Sequence, residues 1–121
     1  MDKKQFEEMI PQVKEIIKMV EKIRKKEEAG EYNSRDQLTR YLSSMDFNKL
    51  KIIHTFMLAG REISQSPAEF DKETVESIFN EFLNRYTHQD KKDATIGYIT
   101  EKRQLDEYLS EGLKEFQSIN N

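Results

Sequence analysis

The chain has 121 residues, 36% of them hydrophobic and 36% charged, with 20 Lys and Arg against 23 Asp and Glu for a formal net charge of −3. A chain of this length can bury roughly two-thirds of its unfolded surface, enough for one helical or mixed domain with its own core. The absence of cysteine excludes disulfides, thiolate catalysis and thiolate zinc sites, and the mild negative balance gives no overall field for nucleic acid or an anionic membrane.

From the N-terminus, Phe6, Met9, Ile10, Val13, Ile16, Ile17, Val20 and Ile23 recur every three or four residues, the spacing of one apolar stripe on a helix. Pro11 cannot sit in a helix interior without loss of a backbone bond and a clash with the preceding turn, so a restart at Ile10 or Pro11 is predicted. Residues 1–10 then read as a short, loosely attached N-terminal turn. Lys22, Arg24, Lys25 and Lys26 suit the negative end of the helix dipole, with Gly30 as a C-cap beyond them. Ser34 and Gln37 have capping-box spacing for a short helix carrying Leu38, Tyr41, Leu42 and Met45.

Residues 46–63 are the most apolar stretch, with Phe47, Leu50, Ile52, Ile53, Phe56, Met57, Leu58 and Ala59 leaving almost no polar face. A helix apolar nearly all round is a buried one, and Asp46 is a suitable N-cap. Asp71 caps the next helix, whose stripe of Val75, Ile78, Phe79, Phe82, Leu83 and Tyr86 is the cleanest in the chain. After the polar run of residues 88–93, residues 94–100 suit a short helix or turn. The last helix carries Leu105, Tyr108, Leu109, Gly112, Leu113 and Phe116; Gly112 within that stripe predicts close approach to another helix backbone. No period-two alternation long enough for a strand occurs. The expectation is an all-α single domain, a compact bundle of five to six helices around the buried helix at 46–63.

Tyr98, Ile99, Lys102, Leu105, Glu107, Tyr108, Leu109, Glu111, Gly112 and Leu113 together resemble the C-terminal signature of an uncharacterised bacterial family, domain of unknown function 3775. Leu58, Ala59, Gly60 and Arg61 resemble its central Leu-x-Gly-Arg element, and the helical layout is similar over most of the chain after Ile10. The chain departs from that pattern at Glu101 and Arg103, where the family favours Gly and Pro, and in having no Trp. The family has no assigned activity, so the resemblance implies a small helical fold and no chemistry.

Candidate chemistry is sparse. His54 and His88 are the two histidines, and an antiparallel pairing of the helices that carry them separates the two by roughly 12 Å along the axis, too far for a shared metal. His88 with Asp90 and Asp93 forms no dedicated cation loop. His54 lies in the most apolar helix and needs a hydrogen-bond partner, most simply a backbone carbonyl; the functional alternative is a cleft shared with Arg61 and Glu62. Arg61 is expected to tie to Asp106, Glu107 or Glu111 on the last helix. Tyr41, Tyr98 and Tyr108 read as core-edge packing with hydroxyls at solvent. No nucleophile elbow, phosphate loop, dinucleotide fingerprint or His-Glu-x-x-His motif is present.

These observations predict a cytoplasmic, non-catalytic helical protein with no catalytic residues, metal or cofactor, acting through protein interaction. The stripe of residues 6–23 is longer than a small bundle needs and would serve a homo-oligomer or a partner helix. The alternatives are a nucleic-acid-associated protein using Lys22, Arg24, Lys25 and Lys26, disfavoured because Glu21, Glu27 and Glu28 cut that field, or a small-ligand-binding domain using His54 and Arg61. With no apolar run of about 18 residues, no membrane association is expected.

Overall fold

In the computed structural model residues 2–31, 35–66, 69–86 and 91–119 are described, and they contain seven helices and no strand: α1 (Lys3–Glu8), α2 (Ile10–Glu28), α3 (Asp36–Ser43), α4 (Phe47–Ser64), α5 (Lys72–Asn84), α6 (Lys92–Thr100) and α7 (Leu105–Ile119). The fold is all-α, with α1 and α6 formed as helices in their own right.

Local chemistry sets several of the helix ends. Asp46 and Asp71 cap α4 and α5, each side chain accepting from the backbone N–H three residues on, Lys49 at 3.0 Å and Thr74 at 2.8 Å. The Thr74 contact holds the Asp71 carboxyl below the usual range. Pro11 falls in the first turn of α2, where its missing N–H removes no helical bond. The other end of α2 closes through Gly30 at φ +85°, with Gly30 N–H on the Glu27 carbonyl and Glu31 N–H on that of Lys26. That bonding pattern needs a left-handed residue, which glycine adopts without a Cβ clash. Ser34 lies outside the described residues, and α3 begins instead behind Arg35.

Helix α4 is buried over most of its circumference, by Leu50, Ile52, Ile53, Phe56, Met57, Ala59 and Ile63, while Lys51, His54, Leu58 and Arg61 on the remaining face are half-buried. Its one buried hydroxyl, Thr55, bonds back to the Lys51 carbonyl at 2.7 Å, so burial leaves no orphan donor. The closest neighbour is α7, which crosses antiparallel at two glycines. A Cβ on Gly60 would lie 1.8 Å from the Tyr108 carbonyl oxygen, and one on Gly112 would lie 2.2 Å from that of Phe56. Gly112 is therefore the close approach its place in the stripe predicts, and Gly60 is its counterpart.

The N-terminal turn is not loosely attached. Phe6 on α1 is fully buried, and its ring meets Phe56 of α4, Phe79 of α5 and Phe116 of α7. All six pairs among these four rings have centroids 5.4–5.9 Å apart, favourable aromatic spacing. Four of the seven helices thus meet at one point, and α1 supplies a quarter of it. Met9, Val13, Ile16, Val20 and Ile23 join the same core. Most of the stripe of residues 6–23 is consequently turned inward, with Ile10 and Ile17 partly buried at its edge.

Long-range polar contacts fix the remaining helices. Arg24 near the end of α2 pairs with Asp106 at 2.8 Å and Glu107 at 3.4 Å in the first turn of α7. Arg35 binds Glu27 at 3.0 Å and donates to the carbonyls of Thr100 at 3.1 Å, Lys102 at 3.1 Å and Arg103 at 3.2 Å. Its planar fork thereby satisfies the corner between α6 and α7. At the opposite end of α3, Lys92 donates to the Ser43 carbonyl at 2.8 Å, so α3 and α6 run antiparallel. Among the described residues no helix is long and apolar enough to cross a membrane.

Candidate functional site

Side chains four and seven residues apart on a helix share a face. On α4 that relation joins His54, Leu58 and Arg61, and this face looks away from α7 into a groove closed by α5 and α6. From α5 and its end come Phe82, Arg85 and Tyr86; from α6 and its start come Lys91, Ala94, Thr95 and Tyr98. The groove encloses about 440 Å³, within the range of small-molecule sites.

His54 is its centre. The imidazole Nδ1 hydrogen-bonds the Tyr86 hydroxyl, a partner beyond the end of α5 in place of the expected backbone carbonyl. The antiparallel pairing of α4 with α5 brings this about: Phe56 faces Phe79 and Phe47 faces Tyr86, with ring centroids at 5.6 and 6.1 Å. The Tyr86 ring stands edge-on to His54 at 5.7 Å, while the Tyr98 ring lies nearly parallel to it, at 16° and 6.2 Å. Burial pushes the His54 pKa down to about 4, helped by the positive charges of Arg61 and Lys102. The ring is therefore neutral at physiological pH and offers one donor and one acceptor.

The charge in the groove has one sign. Arg61, Arg85 and Lys91 line it, and its described lining contains no Asp or Glu. Arg61 is not paired with the last helix as its sequence context predicts: Asp106 and Glu107 are engaged by Arg24, and Glu111 borders a different depression. Its guanidinium makes no hydrogen bond or ion pair among the described residues. Arg85 binds the exposed Glu81 at 2.5 Å and lies 4.7 Å over the Phe82 ring. Glu62 points elsewhere; it is exposed and does not line the groove. Of the three residues singled out in the sequence, His54 and Arg61 are brought together and Glu62 is not.

The basic segment is dispersed. Arg24 faces α7, where its hydrogen bond to Asp106 raises its pKa further. Lys22 and Lys26 border a separate depression with Glu15 and Lys18, and Lys25 is exposed elsewhere on the turn. A nucleic-acid stripe needs these cations on one face. His88 and Asp90 lie outside the described residues, and among those described no three His, Asp or Glu side chains gather as a metal site would require. A larger depression of about 550 Å³ beside Ile63 and Phe70 mixes Glu69, Glu111 and Glu115 with Lys114 and has no converging polar groups of one kind.

Arg85, Tyr86, Lys91 and Tyr98 are charged and aromatic groove residues that the sequence did not single out as a site. The available signal was faint: Lys91, Ala94, Thr95 and Tyr98 recur at helical spacing from the end of the polar run at 88–93 into the short helix or turn expected at 94–100. Compared with known protein families, curated proteins and solved structures, the chain matches none. Fold and groove therefore define this protein on their own terms, as a small all-α bundle with one basic, aromatic-lined groove.

Proposed function

We propose that the protein is a non-catalytic binding protein whose groove between α4, α5 and α6 takes a small organic anion. The observation that carries this is Arg61, a cation on a buried helix with no partner among the described residues, facing a groove whose described lining holds two more cations and no carboxylate. A guanidinium in such a position is set to bind a carboxylate or phosphate bidentately. The apolar part of the lining, Leu58, Phe82 and Ala94, suits the organic portion of such a ligand.

A binding role fits these residues better than catalysis. His54 is held neutral far below the pKa of an effective general base at pH 7, and its Nδ1 is already engaged by Tyr86. The inward turn of the stripe at residues 6–23 moves the reading away from partner docking. We place the protein in the cytoplasm, in keeping with its lack of cysteine, and carry the resemblance to domain of unknown function 3775 as part of the same proposal.

The test is NMR titration with simple carboxylates and phosphates, following the His54 imidazole. Saturable shifts that weaken with salt and vanish in Arg61→Met are expected. An array of organic anions that leaves His54 and Tyr98 unmoved, or that acts equally on Arg61→Met, ends this reading.

A further inference from the structure

The side chain least explained by folding is Tyr98. It is 55% exposed, the one large hydrophobic residue so exposed among those described, and its hydroxyl makes no hydrogen bond among them. An exposed aromatic ring is ordinary when isolated, but this one is placed over His54 within the groove. The two rings are parallel to within 16° with centroids 6.2 Å apart, toward the long end of the roughly 4.5–7 Å seen for stacked pairs. The pair therefore presents two nearly parallel aromatic rings to the groove. Only Tyr98 is free to turn, because His54 is fixed by Tyr86.

We propose that the occupant of the groove is a planar aromatic anion, its ring system against the faces of Tyr98 and His54 and its anionic group at Arg61. This rests on the anion-binding reading above and adds the shape of the ligand. Two features favour a flat ligand over a saturated one of equal charge. Aromatic pairs gain from ring geometry beyond the area they bury, and Tyr98, His54, Tyr86 and Phe82 supply four π faces or edges around a single groove. Placement of the charge follows from helix geometry: Arg61 is seven residues beyond His54, about 10 Å along α4, and its long side chain can reach part of the way back. An anionic group one or two ring widths from the stacked portion meets it there, and about 440 Å³ accommodates two fused rings.

The discriminating ligands are 2-naphthoate, its saturated counterpart decahydro-2-naphthoate, and neutral 2-naphthalenemethanol, titrated into the full chain and followed by proton NMR of His54 and Tyr98. The aromatic acid is expected to bind about tenfold more tightly than the saturated acid, as two aromatic contacts together imply, with ring-current upfield shifts on both side chains. Tyr98→Leu, which keeps an apolar side chain at an exposed helix position, should abolish that preference and leave the saturated acid unaffected. Arg61→Met should weaken both acids. Equal affinity of the two acids, or indifference to Tyr98→Leu, overturns the aromatic assignment while anion binding stands. Equal affinity of the neutral alcohol overturns the anionic half, and acid binding that ignores Arg61→Met, or no binding by any of the three, removes both readings.

Discussion

Replacing Gly60 by alanine puts a methyl group where α4 and α7 leave no room. The new Cβ would stand 1.8 Å from the Tyr108 carbonyl oxygen and 2.7 Å from the Gly112 nitrogen, whereas real Cβ contacts essentially never fall below 3.0 Å. Both obstacles are backbone, so no side-chain rotation relieves the overlap and the helices must part by more than 1 Å at their crossing. That separation loosens the rows around Phe56, Met57, Leu109 and Leu113, all buried. Overpacking typically costs about 1–3 kcal/mol, and rigid backbone on both sides places this case at the upper end. The better helix propensity of alanine returns about 1 kcal/mol at most. A net loss of about 2–3 kcal/mol is expected, a large share of the roughly 5–15 kcal/mol that holds a domain folded. At this chain length it lowers Tm by about 10 °C. Gly97 is the control: it is helical and exposed, and a Cβ there meets nothing within 4 Å. Gly97→Ala should therefore stabilise by about 0.5–1 kcal/mol through propensity alone. Thermal and urea unfolding of both variants, with Gly112→Ala and the Gly60/Gly112 double variant, make the measurement. Once one methyl has parted the helices the second costs less, so the double variant should lose less than the sum of the singles. A Gly60→Ala protein as stable as Gly97→Ala would refute the close crossing.

Two other outcomes follow from the core and from His54. Phe6→Ala should destabilise by about 3–5 kcal/mol, because it removes one ring of a four-ring cluster; a loss under about 1 kcal/mol in urea unfolding would show α1 to be detachable after all. For His54, the folded pKa of about 4 lies below the ordinary value near 6.5 of an unfolded chain. Between those values the unfolded chain takes up a proton that the folded chain refuses, so this group makes stability fall as pH drops from about 6.5 to about 4, by up to about 3 kcal/mol. His54→Gln should flatten that part of the profile relative to the parent protein, and an imidazole that titrates near 6.5 in the folded protein would contradict the burial that lowers it.

What the sequence decided was local. The N-caps at Asp46 and Asp71, the restart at Pro11, the stop at Gly30 and the apolar stripes all depend on residues within a turn or two of one another, and the physics of capping and periodicity acts at that range. Gly112 was legible for the same reason, since an inward-facing glycine in a stripe has few other uses. Tertiary structure alone decided which distant residues share a charge or a ring. Arg24 takes Asp106, 82 positions away, and Arg35 takes the Thr100 carbonyl, 65 positions away; the first removes one of the carboxylates expected for Arg61. Phe6 looked peripheral because it lies on a six-residue helix, too short to be stable by propensity. Its place in the core comes from three rings on α4, α5 and α7. The groove has the same origin: His54, Tyr86 and Tyr98 sit on stripes that each read as ordinary packing, and only the convergence of α4, α5 and α6 turns three helix faces into one basic, aromatic-lined site.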